Sequence, residues 1–178
     1  ALLPDPPDRP GQGDWYSKDE LAILRLSSKN HVDIPVSVHG HRLHLLLSHP
    51  TPPVFDGPEN RNGRRNHDEI RLWSDYLSGE EHANYLIDDA GKSGGLHPED
   101  LFVVLGDLNA DPVDGDSYNQ AIHQLLEHVR VHPAVWLDDR VPHSEGGKFQ
   151  KPRNPPQSGD SAEDTAAWGL RVDYVLPA

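Results

Sequence analysis

The stretch LFVVLGDLN, residues 101–109, is the most informative part of this 178-residue chain. It begins with five consecutive apolar residues, 101–105, which is typical of a β-strand covered on both faces. Gly106 ends the apolar run, and Asp107 and Asn109 follow where such a strand meets solvent. Because loops at strand ends commonly form ligand sites, the segment predicts both a central strand and a candidate site.

Apolar segments elsewhere predict the rest of a sheet. The strand candidates are residues 21–26, 32–38, 42–48 and 170–176. His39-Gly40-His41 lies between the second and third of these, so residues 32–48 are expected to form a β-hairpin. Pro35 indicates that the first strand of this hairpin lies at an edge or carries a bulge, because proline cannot donate a ladder hydrogen bond.

Two segments show the three- and four-residue apolar spacing of helices. They are residues 64–77, with Asn62 or Gly63 as the expected cap, and residues 116–129, with Asp116 as the expected cap. Residues 1–15 and the long loop 141–168 are interpreted as irregular. Strands that alternate with helices and also pair as a hairpin predict a single domain of the α/β or α+β class, with a mixed or antiparallel layered sheet.

Composition and charge exclude several classes of function. The chain has no cysteine, which excludes a disulfide scaffold, a thiolate metal site and a cysteine nucleophile. Its formal net charge is −13, so diffuse attraction does not hold a polyanion. No apolar run is long enough for a transmembrane helix. The first residues, 1–4, lack the features of a signal peptide, and we interpret this start as an internal cut or a processed end.

Asp107 and Asn109 are the first candidate site residues. In extended backbone, residues two apart point to the same face. A carboxylate and an amide placed in this way suit Mg²⁺, which binds few carboxylates together with waters and phosphate oxygens. The alternative is a junction between strand and turn, where Asp and Asn side chains cap a loop.

His49 and Asp173 are the next candidates. His49 follows an apolar strand, as Asp107 does, and its imidazole could bind a phosphate oxygen or orient a catalytic group. The alternative is an ordinary loop histidine, one of twelve. Asp173 interrupts an apolar segment, where a buried carboxylate needs a partner. It could fix a catalytic imidazole or activate a water, and the alternative is a salt bridge with Arg171.

Arginines are concentrated around the start of the first predicted helix. They are Arg61, Arg64, Arg65 and Arg71. Arg64 and Arg65 open that helix, where backbone N–H groups also favour anions, and guanidinium groups bind phosphate bidentately. Arg64 and Arg65 are therefore substrate-binding candidates. The alternative is pairing with acidic residues on a solvated helix face, namely Glu59, Asp68 and Glu69.

Three motifs together resemble those of a known family. They are Ser48-His49-Pro50, Gly106-Asp107-Leu108-Asn109-Ala110 and Arg171-Val172-Asp173-Tyr174-Val175, in this order. They resemble motifs of the endonuclease/exonuclease/phosphatase superfamily, which has the deoxyribonuclease I-like fold. The stretch from His49 to Arg71 looks like a bacterial branch of that superfamily, and the resemblance spans roughly residues 16–178.

The resemblance implies a four-layered α/β sandwich of two packed sheets that hydrolyses phosphate mono- or diesters with Mg²⁺, Mn²⁺ or Ca²⁺. Asp107 would hold the attacking water or the metal. Asn109 would bind the phosphate and contribute to the metal site, and His49 would contact the phosphate in the transition state. Asp173 would belong to the acidic set near the catalytic histidine or a second metal position. The branch resemblance and the absence of cysteine also point to a secreted protein.

The family pattern has parts that this chain lacks. An Asn at the end of an early strand, a metal-ligand Glu on the segment that follows it and a terminal Asp-His pair are absent, so we interpret residues 1–178 as the C-terminal part of such a domain, incomplete at both ends. The expected partners are a phosphate-ester substrate, the missing N-terminal half, and a second copy joined through an exposed sheet edge. The isolated chain is expected to be inactive, because catalytic residues act as a unit.

Two other function classes stay open. A non-catalytic binding or scaffold module would keep the fold, and the absence of the Glu and the Asp-His pair favours it. A metal-binding domain built on the twelve histidines has less support, because the chain contains no HExxH motif. Within the phosphoesterase class, the net charge of −13 argues against tight binding of duplex nucleic acid and favours a small phosphoester or a lipid headgroup.

Overall fold

A computed structural model describes residues 12–13, 15–137, 140–149 and 157–178, so most of the expected irregular segment 1–15 lies outside it. Its helices are α1 (Lys18–Ile23), α2 (Arg61–Leu77), α3 (Glu80–Ala83) and α4 (His123–Leu126). Its strands are β1 (His31–Val38), β2 (His41–Ser48), β3 (Leu101–Asp107) and β4 (Asp173–Pro177). Short 3-10 turns lie at Tyr118–Gln120, Pro133–Val135 and Glu145–Phe149.

The four strands form one mixed sheet in the order β1-β2-β3-β4. β1 and β2 are the predicted hairpin, β2 and β3 run parallel, and β3 pairs antiparallel with β4. α2 lies in the connection between the two parallel strands, as a parallel pair requires a crossover. The predicted α/β class with a mixed sheet is therefore confirmed, and Pro35 lies on an edge strand, as expected.

The hydrophobic core lies between one face of the sheet and the helices. Leu46, Val104 and Leu176 are neighbours across three strands, and Phe102 follows the same alternation. These side chains pack with Ile70, Trp73, Leu77, Leu125 and Leu126 of α2 and α4, and every member of this set is at most 2% exposed. Their burial fixes the register of the sheet, since a slip of one residue would turn them to the other face.

The opposite face of the sheet is apolar but only partly covered. Among the residues that the structure describes, Val32 is 37% exposed, Ile34 43%, Leu101 52% and Val175 64%. The prediction that both faces of β3 are covered is therefore wrong for this part of the chain. A continuous apolar run indicates that both faces of a strand are apolar, whereas coverage depends on which side the helices occupy.

A helix replaces one of the predicted strands. Residues 21–26 are not a strand, because α1 begins at Lys18 and ends within the apolar run. Ser17 and Glu20 form a capping box: Ser17 Oγ accepts from the Glu20 N–H at 3.3 Å, and the Ser17 N–H donates to the Glu20 carboxylate at 2.8 Å. This Ser-x-x-Glu pattern is a helix-start signal, and it outweighs the apolar run that follows.

The two predicted helices exist with different bounds. α2 begins at Arg61 and its N-cap residue is Asn60, so the predicted caps Asn62 and Gly63 lie inside the helix. The segment 116–129 is divided into a 3-10 turn followed by α4, because Asn119 has a φ of 49° that no right-handed helix contains. Ser117, and not the predicted Asp116, precedes the first of these pieces.

Candidate active site

The carboxyl ends of β2 and β3 bring His49 and Asp107 together. The two strands are parallel neighbours, so they end at the same edge of the sheet. His49 Nε2 lies 3.5 Å from Asp107 Oδ2, and the side chains are 48% and 33% exposed. An imidazole and a carboxylate that solvent can reach therefore lie side by side at the predicted strand ends.

Asp173 lies directly opposite Asp107 in the antiparallel pair of β3 and β4. Opposed residues of such a pair point to the same face, so both carboxylates lie on the side of the sheet away from the core. Asp173 is exposed, and the expectation of a buried carboxylate is wrong because β4 begins at Asp173. Arg171, its alternative partner, instead contacts Glu163 at 3.4 Å.

Asn109 ties the two strand ends to each other. Its φ is 51°, so the backbone after Asp107 turns and is not extended, in contrast to what the two-residue spacing predicts. The Asn109 N–H donates to Asp107 Oδ1 at 2.9 Å, and Asn109 Nδ2 donates to the Pro50 carbonyl at 3.1 Å. The pair thus forms the side-chain-capped turn of the alternative interpretation, and this turn lies beside His49.

Two buried side chains of α2 hold the loops that carry these residues. Asn66 is fully buried, and its Nδ2 donates to the carbonyls of Thr51, at 2.9 Å, and Leu108, at 3.0 Å. Glu69 is also fully buried, and its carboxylate accepts from the N–H groups of Thr51, at 2.6 Å, and Ser28, at 2.5 Å. The alternative that placed Glu69 on a solvated helix face is therefore wrong, whereas its pairing of an arginine with Asp68 is met by Arg71 at 3.4 Å.

Lys29 supports the same loop from the segment before β1. Its Nζ donates to the carbonyls of His49 and Pro50, at 3.1 Å each. Sequence patterns alone did not predict the supporting roles of Lys29, Asn66 and Glu69. A signal for the last two was present, because the run Asn66-His67-Asp68-Glu69 puts four polar residues in a row, and such a run cannot keep every member on the solvent side of a helix with a core-facing stripe.

The predicted substrate-binding arginines make contacts around the first turns of α2. The Arg64 guanidinium lies over the Tyr118 ring, 5.3 Å from its centroid. Arg65 Nη2 donates to the Arg25 carbonyl at 2.8 Å. Arg65 therefore lies against the segment after α1, and Arg64 lies against the loop that connects β3 to α4.

The N terminus of α2 is already capped by a carboxylate. Asp56 accepts from the N–H groups of Asn62 and Gly63, at 2.8 Å each. Phosphate binding by these backbone groups, expected from the position of Arg64 and Arg65 at the predicted helix start, therefore has no support here. The Asp56 carboxylate already compensates the partial positive charge at the start of the helix.

The strand-end residues offer ligand types that a hard divalent cation prefers, although His49, Asp107 and Asp173 do not bring three ligand atoms within 4.8 Å of one another. Mg²⁺ binds one or two carboxylates and keeps several waters or phosphate oxygens. Asp107 and Asp173 supply carboxylates on one face, and Asn109 Nδ2 is bound to Pro50, which leaves its Oδ1 as the ligand atom of that amide. The ligand atoms that these residues offer are mostly oxygens, and the His49 imidazole lies beside them.

Another group of ligand-type side chains lies in the loops before β4. His143, Asp160 and Glu163 have ligand atoms within 4.8 Å of one another, the single such group found in the described part of the chain. Glu163 already contacts His143 at 3.6 Å and Arg171 at 3.4 Å. Ion pairing within the protein therefore accounts for this group.

The profile of the Endonuclease/Exonuclease/phosphatase family matches residues 7–178, which is nearly the whole chain. The chain belongs to this family. Membership of the Endonuclease/Exonuclease/phosphatase family confirms the resemblance carried by the motifs around His49, Asp107 and Asp173. The roles of the individual residues are not given by the match.

The crystal structure of sphingomyelinase C from Streptomyces griseocarneus is similar to this chain at 16% sequence identity and a TM-score of 0.43. The similarity covers 83% of this chain and 41% of that protein, so the chain spans less than half the length of this structure. No curated protein matches the chain. Within the described residues, no helix has the length and apolar character needed to cross a membrane.

Proposed function

We propose that this chain carries the phosphate-binding part of a divalent-metal-dependent phosphoesterase site. The observation that supports it best is the 3.5 Å contact between His49 Nε2 and Asp107 Oδ2 at two parallel strand ends. Asp173, opposite Asp107, adds a second carboxylate on the same face. Family membership supports phosphate-ester hydrolysis as the class of reaction. The strand ends provide carboxylate and imidazole groups that suit it.

Each strand-end residue has a role that its contacts support. Asp107 and Asp173, with the Asn109 amide oxygen, would hold the cation, which when bound polarises a phosphoryl oxygen and offsets developing negative charge. His49 is half exposed beside Asp107, so its imidazole can donate to a phosphate oxygen while the carboxylate orients the ring. Asn109 keeps the two loops at a fixed separation through Pro50 and Asp107.

We propose a small phosphoester or a lipid headgroup phosphate as the substrate class. A formal net charge of −13 opposes binding of a long polyanion, whose affinity depends on many phosphate contacts. A single phosphate group needs only a few contacts at one place. Arg64, which lies against Tyr118, is two residues before Asn66, the buried residue of α2 that holds the loops of the candidate site. Arg64 and Arg65 therefore remain proposed as substrate-binding residues.

Calorimetric titration of the chain with Mg²⁺, followed by inorganic phosphate, tests this proposal. We expect phosphate binding that requires Mg²⁺ and that weakens at least about tenfold in Asp107→Asn, equivalent to about 1.4 kcal/mol. Asp19→Asn, which removes an exposed carboxylate from α1, is the matched control and should bind like the unmodified chain. Equal binding by all three proteins contradicts the proposed site.

Hydrolysis distinguishes the enzyme from the binding or scaffold module. A generic phosphodiester and a generic monoester are incubated with the chain, with and without Mg²⁺. Because the metal-ligand Glu and terminal Asp-His expected from the family pattern are absent, we expect turnover far below that of a complete enzyme. Residual Mg²⁺-dependent turnover that Asp107→Ala abolishes supports the enzyme, whereas a full-length parent protein that binds phosphate but hydrolyses neither ester supports the module.

A further inference from the structure

Phe55 combines nearly full exposure with backbone strain. In the part of the chain that the structure describes, it is the most exposed large apolar residue, at 96%. Its φ is 60°, a left-handed conformation that bulky side chains rarely adopt. Packing against the protein does not offset this strain, because almost the whole ring faces solvent. A strained residue that adds nothing to the core indicates a function for its side chain.

Hydrogen bonds on both sides hold Phe55 in this position. Asn62 Nδ2 donates to the Val54 carbonyl at 2.8 Å. On the other side, the Asp56 carboxylate accepts from the N–H groups of Asn62 and Gly63. The first turn of α2 thus fixes the residues before and after Phe55, and the ring is presented to solvent from a rigid support.

Phe55 lies at the same end of the molecule as the candidate active site. It belongs to the loop that begins at His49 and connects β2 to α2. Because α2 is the crossover between two parallel strands, it begins near the carboxyl end of β2. The exposed ring and the strand-end residues His49 and Asp107 are therefore carried by the same end of the fold.

The end of α1 adds two exposed apolar residues beside the same loop. Ile23 is 83% exposed and Leu24 is 39% exposed. The Glu69 carboxylate accepts from the N–H groups of Ser28 and Thr51, so α2 holds the segment after α1 against the loop of Phe55. We call these three exposed side chains the apolar rim: Ile23, Leu24 and Phe55.

Basic residues predominate around the apolar rim, although the chain as a whole has a formal net charge of −13. Residues 23–29 and 54–65 contain two acidic residues and five basic ones, which are Arg25, Lys29, Arg61, Arg64 and Arg65. The two acidic residues, Asp56 and Glu59, accept hydrogen bonds from backbone N–H groups. Apolar side chains flanked by cations are typical of protein surfaces that bind at a lipid interface.

We propose that the apolar rim docks this chain on a phospholipid surface, with Phe55 inserted among the lipids and Arg61 at the headgroup phosphates. Arg61 is exposed in the first turn of α2, next to the residues that hold Phe55. Docking brings headgroup phosphates to the end of the fold that carries His49 and Asp107. Within the proposed function, on which this last step rests, it favours a lipid headgroup over a soluble phosphoester.

The acidic remainder of the chain does not prevent this docking. At physiological salt the Debye length is about 8 Å, so charges on the far side of the molecule are screened from the lipid surface. The basic residues around the apolar rim lie close to that surface. Each cation at an anionic lipid surface contributes about fivefold in affinity.

Sedimentation with vesicles tests the docking. The 178-residue chain is mixed with sucrose-loaded vesicles of phosphatidylcholine alone, and of equimolar phosphatidylcholine and phosphatidylglycerol. We expect the chain to sediment with both, and more of it with the second. Phe55→Ser should weaken binding to both types of vesicle at least about tenfold, since burial of one aromatic side chain contributes that much.

Other variants supply the controls. Val129→Ser should bind like the unmodified chain, because Val129 is 92% exposed and its neighbour Arg130 binds the Leu77 carbonyl at the opposite end of α2. Arg61→Gln should weaken binding to the mixed vesicles about fivefold, and binding to phosphatidylcholine alone by less. Ile23→Ser repeats the test if Phe55→Ser alters the thermal melt.

Several results would overturn the proposal. A chain that stays in the supernatant with both types of vesicle excludes docking on phospholipid. Equal binding by Phe55→Ser and the unmodified chain, or equal weakening by Val129→Ser, excludes the apolar rim as the docking surface.

Asp107→Asn separates this proposal from the proposed function. This variant should bind vesicles like the unmodified chain, while its Mg²⁺-dependent binding of inorganic phosphate is weakened. In the unmodified chain, phosphate binding without vesicle binding contradicts the docking alone. Vesicle binding without Mg²⁺-dependent phosphate binding contradicts the proposed site alone.

Discussion

At the scale of the residue, Gly106 determines how closely the two site-bearing strands approach. Its φ is 151°, and a Cβ atom built at this position would lie 2.0 Å from the Ser48 carbonyl oxygen. No other residue type fits that space without moving the strand. The close approach at Gly106 and Ser48 directly precedes the next pair along the strands, His49 and Asp107.

We expect Gly106→Ala to destabilise the chain by on the order of 3 kcal/mol, because it adds both a strained φ and a backbone clash. Gly40→Ala is the matched control. Gly40 has a φ of 84°, and a Cβ atom added there would meet no heavy atom within 4 Å, so the change should cost only about 1 kcal/mol from strain. Urea unfolding measures both values, and equal losses would show that the clash with Ser48 is absent.

At the scale of the element, α2 both forms the core and positions the loops. Its apolar stripe of Ile70, Trp73 and Leu77 faces the sheet. One turn earlier, Asn66 and Glu69 bind the loops after β2 and β3 through backbone groups. Any shift at the N-terminal end of α2 is therefore transmitted to the loops that carry the candidate site.

We expect Asp56→Ala to lower the free energy of unfolding by about 1–2 kcal/mol, because it removes the cap of the Asn62 and Gly63 N–H groups. Asn62 and Gly63 donate to different oxygens of Asp56, so Asp56→Asn keeps only one acceptor and should recover at most about half of that loss. Urea unfolding of the two variants provides the comparison. Identical losses would mean that a single accepting oxygen at this position does not cap the helix.

At the scale of the whole molecule, two half-buried histidines make stability depend on pH. Burial lowers the pKa of His31, whose ring lies between Ser27 Oγ at 2.9 Å and the Glu69 carbonyl at 2.8 Å. Burial also lowers the pKa of His128, with a further contribution from the Arg130 charge. The folded chain therefore favours both imidazoles in their neutral form.

We expect the free energy of unfolding to fall as the pH drops through about 6.5, because the unfolded chain takes up protons there while the folded chain resists them. Above that pH the contribution of the neutral rings is fully present. His31→Gln should flatten this dependence, measured by urea unfolding at several pH values between about 5 and about 8. The exposed His82→Gln is the control, and a similar flattening in both variants would contradict the assignment.

Local patterns in the sequence determined much of the fold and part of the site. The hairpin of β1 and β2, the edge position of Pro35 and the strand ending at Asp107 depend on alternation, turn residues and proline chemistry within short segments. The same patterns put His49 and Asp107 at strand ends. Two local signals compete around residue 20, where the capping box of Ser17 and Glu20 starts α1 although the apolar run after it predicts a strand.

Tertiary structure decided the features that depend on distant segments. The pairing of Asp173 with Asp107 follows from the register of β4 on β3, and the support from Asn66 and Lys29 comes from elements that lie apart in the chain. The face of the sheet opposite the core is partly exposed because the described helices pack on the other side. The periodicity of a sequence shows which side chains share one face of a strand or helix. Which element covers that face depends on packing between distant segments, and no short segment determines it.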